Sequence, residues 1–177
     1  STLKLLQDIT LDTALEVGSG SFTLDLNDKN LNATCYDPLR ISGGDLIITD
    51  TGTDSTKGSI TNDSMGSAVR INGAKVSISG ISINVYSQQS CYGVVMEAGE
   101  LSISDCSVTS KAISNDYGIK AEGGKLTVSH CNFNSDTAIY FSGSEANISN
   151  NNIESKGSGV YAAGGTITLS ENDISGN

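Results

Sequence analysis

The chain has 177 residues and a net charge of −10, and 37% of its residues are hydrophobic. That charge disfavours nucleic acids and anionic membranes as partners, because phosphate contacts need clustered lysines and arginines. No apolar run reaches the length of about 18 residues that a transmembrane helix needs. The length is that of one domain, covering residues 1–177, and regularly spaced apolar residues argue against disorder.

The first feature in chain order is a short apolar segment, residues 1–14, with leucine or isoleucine at positions 3, 5, 9 and 11. A regular repeat begins directly after it. In repeat proteins the terminal units are atypical and cover the ends of the stack. We therefore expect residues 1–14 to form a partial N-terminal rung.

From residue 15 to residue 177 the chain contains seven copies of a repeat of 20–30 residues. The first apolar residue of each copy, here called the anchor, is followed by apolar residues two, seven and nine places later. Alternation with a period of two predicts short β-strands, and the small residues between them predict tight bends. The anchors are Leu15, Leu39, Val69, Val94, Ile119, Ile139 and Val160.

The short connections decide between two all-β folds. A strand can pair in parallel with its equivalent in the next copy only if the chain coils, since the connections are too short for a crossover helix. An antiparallel sandwich is the alternative, but it does not predict a constant interval of seven residues inside every copy. The predicted fold is therefore a single-stranded parallel β-helix, or solenoid, of about seven rungs around a continuous core.

The repeat motif, apolar-x-apolar-Ser-x-(Asn or Cys)-x-apolar, resembles that of the right-handed β-helix superfamily. This group includes pectate-lyase-like proteins and non-catalytic repeat regions of large secreted bacterial proteins. Residues 21–31, SFTLDLNDKNL, are similar to the LDLNGK strand of such regions in Gram-positive gut bacteria, with Asp28 in place of glycine. The resemblance covers residues 3–177 and implies a right-handed helix and a secreted or cell-surface location.

No polar cap is visible at the C-terminal end of the sequence, around residues 175–177. Terminal repeats usually carry one. We therefore expect the chain to be a fragment of a longer protein whose remainder continues at this end.

One inward column carries cysteine and asparagine instead of aliphatic residues. Cys106 and Cys131 stand at equivalent positions of adjacent rungs, and Asn151 and Asn172 continue the column. Stacked strands about 4.8 Å apart bring the two cysteines within disulfide range, but parallel side chains disfavour the required dihedral angle. We expect buried free thiols and a structural asparagine ladder.

The outward position next to each anchor mixes basic and aromatic residues on an otherwise acidic chain. Tyrosine rings can stack on sugar rings, and arginine or lysine can hold uronate carboxylates. This column predicts a polysaccharide-binding strip, although stabilisation by contacts between rungs explains the same residues. The candidate binding residues are Arg40, Arg70, Lys120, Tyr140 and Tyr161.

Calcium is the one cofactor that the sequence suggests. Glu97 and Glu122 stand three places after their anchors in adjacent rungs, with a lysine close by. Two carboxylates supply the oxygen ligands that calcium prefers, and a solvated charge ladder is the alternative interpretation. A second candidate set lies in or beside the longest variable segment, around residues 51–67, and consists of Asp50, Asp54 and Asp63.

No catalytic residue is assigned. The only histidine, His130, is predicted to face Asp105 across one rung, but no nucleophile accompanies the pair. The sequence favours a non-catalytic, adhesin-like surface module that binds a polysaccharide or cell-surface glycan. A fragment of a polysaccharide lyase or hydrolase and a purely structural spacer are the alternatives.

Overall fold

The structure is a computed structural model that describes residues 1–113 and 115–176. Within these ranges the chain forms strands and bends and contains no helix. It coils into a parallel β-solenoid of about seven rungs, which confirms the predicted fold class. Each rung has three faces, called A, B and C in chain order, and the right-handed sense implied by the resemblance stays a prediction.

The strands are short except for two that bend around a corner of the solenoid. In chain order they are β1 (Thr2–Lys4), β2 (Ile9–Leu11), β3 (Leu15–Val17), β4 (Ser21–Asp25), β5 (Asn30–Ala33), β6 (Leu39–Ile41), β7 (Asp45–Thr49), β8 (Ser59–Asn62), β9 (Gly66–Ser79), β10 (Ser82–Ser87), β11 (Cys91–Ser104), β12 (Ser107–Ala112), β13 (Asp116–Ala121), β14 (Lys125–Ser129), β15 (Asn132–Ser135), β16 (Thr137–Phe141), β17 (Glu145–Ser149), β18 (Asn152–Ser155), β19 (Val160–Ala162), β20 (Thr166–Ser170) and β21 (Asp173–Gly176).

Faces A and B belong to one sheet, because β9 and β11 run continuously from one face to the other. Face A contains β3, β6, the first halves of β9 and β11, β13, β16 and β19. Face B contains β1, β4, β7, the second halves of β9 and β11, β14, β17 and β20. Face C is a separate sheet with the order β2-β5-β8-β10-β12-β15-β18-β21.

The register between rungs is the one that the repeat predicts. All described strand pairs are parallel. The anchors pair in sequence order, from Leu15 with Leu39 to Ile139 with Val160. The positions seven and nine residues after the anchors pair in the same order on face B.

The inward side chains stack into one core. In rungs two to six every residue at the four repeat positions is buried, and Ile71, Met96 and Phe141 are fully enclosed. Each large buried side chain stabilises the fold by roughly 1.5–3 kcal/mol. The first and last rungs are more exposed, with Leu169 at 50%, because no complete rung covers them from outside.

Residues 1–14 contribute two strands next to the first rung. Strand β1 pairs with β4, and β2 pairs with β5. Leu5 is buried, whereas Leu6 is 83% exposed. This segment therefore covers the start of the core on faces B and C.

The bend between faces B and C uses a left-handed backbone conformation in successive rungs. This conformation favours glycine, asparagine, aspartate and histidine, which explains the changing polar residues at one position of the repeat. His130 is exposed and lies at this bend, so its left-handed conformation is one that the bend requires. The residues are Gly80 (φ 71°), Asp105 (φ 56°), His130 (φ 54°), Asn150 (φ 58°) and Glu171 (φ 54°).

The predicted buried thiols are confirmed. Cys106 and Cys131 are buried and unbonded, and each thiol donates a hydrogen bond to the carbonyl oxygen two residues earlier, at 3.1 and 3.2 Å. The contact with Cys106, together with burial, raises the pKa of Cys131. Burial raises the pKa of Cys91 to about 11. Cys91 and Cys131 are therefore protonated at neutral pH and are poor nucleophiles.

The asparagine ladder is confirmed in atomic detail. Asn151 Oδ1 accepts the backbone N–H of Cys131 at 2.9 Å, and its Nδ2 donates to the carbonyl oxygen of Val128 at 3.1 Å. Asn172 repeats this arrangement one rung later, where its Nδ2 donates to the Ile148 carbonyl oxygen at 2.8 Å. Each amide replaces an aliphatic side chain and satisfies backbone groups at the bend.

The longest variable segment, around residues 51–67, is only partly a loop. Its second half contains β8, which joins the sheet of face C between β5 and β10. The loop proper, residues 50–58, lies at the bend between faces B and C. It is closed by Asp50, whose carboxylate accepts three backbone N–H bonds, the shortest from Gly58 at 2.6 Å.

Candidate functional site

The outward residues next to the anchors form a straight column on face A. Paired strands lie about 4.8 Å apart, so residues in consecutive rungs are close neighbours. The five predicted binding residues therefore share one side of the solenoid, and the buried Val95 separates the two arginines from the other three. In order along the axis the column is Glu16, Arg40, Arg70, Val95, Lys120, Tyr140 and Tyr161.

Two of the three cations in this column, Arg40 and Lys120, each pair with a single glutamate. Arg40 lies 3.4 Å from Glu16 and also donates to the carbonyl oxygen of Tyr36 at 3.0 Å. Lys120 lies 2.8 Å from Glu122, and its side chain is 25% exposed. Burial acts to lower the pKa of Lys120, but the bond to Glu122 outweighs this and raises the pKa. Little of either charge is left uncompensated.

Arg70 is the most strongly engaged of the cations. It lies 3.1 Å from Asp37 and forms a second ion pair with Glu97. Burial acts to lower the pKa of Arg70, but the two carboxylates outweigh it and raise the pKa. Asp37 is itself buried and accepts bonds from both the N–H and the hydroxyl of Ser67, each at 2.7 Å. Arg70 thus holds a corner of the fold together.

Four tyrosines form a ladder of rings along face A. The ring centroids of Tyr92 and Tyr117 are 5.7 Å apart in a stacked pair, and those of Tyr140 and Tyr161 are 5.6 Å apart. Tyr117 meets Tyr140 edge-on at 6.0 Å. The Lys120 ammonium lies 5.6 Å from the Tyr92 centroid, the distance of a cation–π contact. Basic and aromatic side chains therefore form one connected strip, here called the tyrosine ladder.

Sequence reasoning found half of this ladder. Tyr140 and Tyr161 follow their anchors directly, whereas Tyr92 and Tyr117 stand two places before theirs. The signal that could have revealed them is their equivalent position in consecutive copies. Their approach to Tyr140 depends on how the chain turns from face C into face A, which the repeat pattern does not specify.

The predicted calcium ligands are each occupied by a cation of the chain. Glu97 pairs with Arg70 and Glu122 pairs with Lys120, so a calcium ion would have to displace both partners. Residues 1–113 and 115–176 contain no group of three or more His, Cys, Asp or Glu side chains that could hold a metal ion. The pairing agrees with the charge-ladder alternative, and calcium binding at Glu97 and Glu122 stays a prediction.

Of the second candidate set, Asp50, Asp54 and Asp63, the carboxylate of Asp50 supports the loop. All three lie in described parts of the chain, and they do not form a metal-binding group. Burial acts to raise the pKa of Asp50, but its backbone N–H bonds lower it below the usual value. Asp25 behaves in the same way, with burial opposed by bonds from Thr51 and Asn27. These carboxylates tie the loop to the rung before it.

A polar cavity of about 270 Å³ lies at the corner between faces C and A in the middle rungs. Its buried Asp116 accepts backbone N–H bonds from Ala112, at 3.1 Å, and from Asp136. The Ser135 hydroxyl beside it is buried, and no partner for it is found among the described residues. Because Asp116 already accepts hydrogen bonds from two rungs, its role is to stabilise the corner.

The described residues contain no helix that is long and apolar enough to span a bilayer. No protein-family model, no curated protein and no solved structure matches the chain. The geometry of face A is therefore the basis for a functional proposal.

Proposed function

We propose that the chain is a non-catalytic module of a secreted or cell-surface protein, and that face A binds a polysaccharide or cell-surface glycan in the manner of an adhesin. The observation that supports this most is the tyrosine ladder from Tyr92 to Tyr161. Aromatic rings offer apolar area together with hydroxyls that can bond sugar hydroxyls.

The shape of the ladder suits a polymer better than a small metabolite. Its rings occupy four consecutive rungs, which is a length of roughly 15 Å at the usual strand spacing. Tyr161 is 52% exposed, so part of its ring is open to a ligand. Tyr92, Tyr117 and Tyr140 are partly buried, because each contacts its neighbours in the ladder. Such an open strip is expected to bind weakly and to depend on multivalent display.

A second candidate function is that of a spacer that carries another part of the protein away from a surface. The observation in its favour is that the outward residues of face A satisfy one another. Arg40, Arg70 and Lys120 each have a carboxylate partner. The ion pairs of Arg40 with Glu16 and of Arg70 with Glu97 cross from one rung to the next and would stiffen a rod.

Retention on a glycan panel distinguishes the two functions. The wild type and Tyr140→Ala/Tyr161→Ala are displayed multivalently on beads and tested against the same panel. We expect a glycan that the wild type retains and the double variant releases. Tyr86→Ala is the matched control, because Tyr86 is 44% exposed but lies on face C. Equal retention by both proteins would place the site elsewhere, and no retention by the wild type would favour the spacer.

A further inference from the structure

A groove runs beside the tyrosine ladder, along the edge where face C turns into face A. It has a volume of about 550 Å³, within the usual range of about 300–1,000 Å³ for ligand sites. Three consecutive corners of the solenoid build it, those between β5 and β6, β8 and β9, and β10 and β11. The lining residues are Tyr36, Met65, Gly66, Gln89, Ser90 and Tyr92.

The ladder of stacked rings stops at this groove. Tyr92 stacks on Tyr117 on one side, but on the other side its strand partner is the small, buried Ser67. The next aromatic ring in that direction is Tyr36. The residue after it, Asp37, stands two places before its anchor, as Tyr92 does, and the two positions are two rungs apart. Two rungs span roughly 10 Å. The groove between Tyr36 and Tyr92 therefore interrupts the stack of side chains and leaves room for a ligand beside Tyr92.

The far wall of the groove is held in place by several contacts. Tyr36 is 52% exposed, but Arg40 binds its carbonyl oxygen at 3.0 Å. The following residue, Asp37, has a left-handed backbone (φ 46°) and is bonded to Ser67 and Arg70. A wall ordered in advance lowers the entropy lost on binding. These contacts give Arg40 and Arg70 a positioning role in the groove, and direct ligand contact by either residue stays a prediction.

The floor beneath Tyr36 requires glycine. Gly66 has φ +94°, and a Cβ there would lie 2.5 Å from Oδ1 of Asp37 and 3.0 Å from Cε2 of Tyr36. The ring therefore rests against backbone. Met65 is 44% exposed beside it and adds apolar surface. Gln89 and Ser90 at the third corner bring an amide and a hydroxyl to the same groove.

We propose that this groove is a subsite for one neutral sugar ring of the polysaccharide, an inference that rests on the proposed function. Tyr36, Met65 and Tyr92 would contact the apolar faces of the sugar, and Gln89 and Ser90 would bond its hydroxyls. A neutral sugar is favoured over a uronate, because the cations of this face already have carboxylate partners. Aromatic grooves also accept proline-rich peptides, which makes such a peptide the competing ligand.

The test compares neutral glucans and mannans with polygalacturonate and a proline-rich peptide, using multivalent wild type, Tyr36→Ala and Gln89→Ala. We expect the wild type to retain a neutral glycan and each variant to bind it about threefold to tenfold more weakly. Tyr86→Ala, an exposed tyrosine on face C, should bind as the wild type does. Circular dichroism verifies that each variant is folded.

The outcomes separate this inference from the proposed function. If Tyr140→Ala/Tyr161→Ala loses the glycan while Tyr36→Ala and Gln89→Ala retain it fully, the subsite is wrong and the proposed function stands. Retention of polygalacturonate alone, or of the peptide alone, would overturn the neutral-sugar subsite. If the wild type retains no glycan at all, the proposed function and the subsite both fail.

Discussion

The bend between faces A and B allows a sharp test of the stacked-rung geometry. Gly20 and Gly124 occupy this bend in the first and fifth rungs, with nearly the same positive φ, +83° and +77°. An added Cβ at Gly124 would lie 2.0 Å from the carbonyl oxygen of Gly99, in the rung before it. At Gly20 it would meet nothing within 4 Å. Comparing Gly20→Ala with Gly124→Ala therefore separates the energetic cost of a positive φ from the cost of a steric clash between rungs.

The expected magnitudes follow from these distances. Alanine at positive φ costs about 1–2 kcal/mol, and this term is common to Gly20→Ala and Gly124→Ala. A carbon atom normally stays about 3.3 Å from a carbonyl oxygen, so the backbone of rung four or five must move by more than about 1 Å in Gly124→Ala. Forcing atoms into a packed region costs a further 1–3 kcal/mol, approximately. We therefore expect Gly124→Ala to be destabilised by about 2 kcal/mol more than Gly20→Ala.

Urea denaturation followed by circular dichroism measures this difference. The free energy of unfolding is compared between the two variants and the wild type, with the slope of the transition as a check that the same structure unfolds. A difference of about 2 kcal/mol is a large part of the stability of a typical domain. Equal destabilisation by the two substitutions would refute the close approach of consecutive rungs at this bend.

Three further predictions concern residues of the core, of a bend and of the long loop. Asn151→Ala should lower the free energy of unfolding by about 3 kcal/mol, because buried backbone groups lose their partners. Asn152→Ala, at the exposed first residue of β18, should have little effect, and equal midpoints in urea for the two variants would contradict the asparagine ladder. His130→Gly should raise the free energy of unfolding by about 1 kcal/mol, since glycine adopts φ 54° without strain, and a lower urea midpoint would count against the left-handed bend. The pKa values of Asp25 and Asp50 are lowered in the folded protein, so their stabilising effect is present above the unfolded pKa of about 4 and is lost as the pH falls through the folded values. Acid unfolding should therefore be less steep in Asp25→Asn/Asp50→Asn than in the wild type, and identical acid titrations would argue against both shifts.

Much of the fold could be predicted because a solenoid repeats its own geometry. A strand that pairs in parallel with its equivalent places each repeat position directly above the same position of the previous rung. The spacing of apolar residues in a single copy therefore determines the register of the whole stack. The same logic correctly placed Cys106 beside Cys131 and Asn151 beside Asn172. This prediction depends on the interval between repeat positions and not on which residue occupies each position.

The candidate site depended more on the tertiary structure, since its contacts involve the corners, where the interval between equivalent residues varies. The sequence by itself determined that Arg40, Arg70 and Lys120 would face outward on one side. Only the folded chain decided which partners they have, because a long charged side chain can reach several columns. Only the folded chain brought Tyr117 to Tyr140 and Tyr36 to the groove, because these contacts depend on how face C turns into face A. The regular spacing of the strands determines which residues form a column. Contacts between side chains of different columns depend instead on the path of each corner and on the length of each side chain.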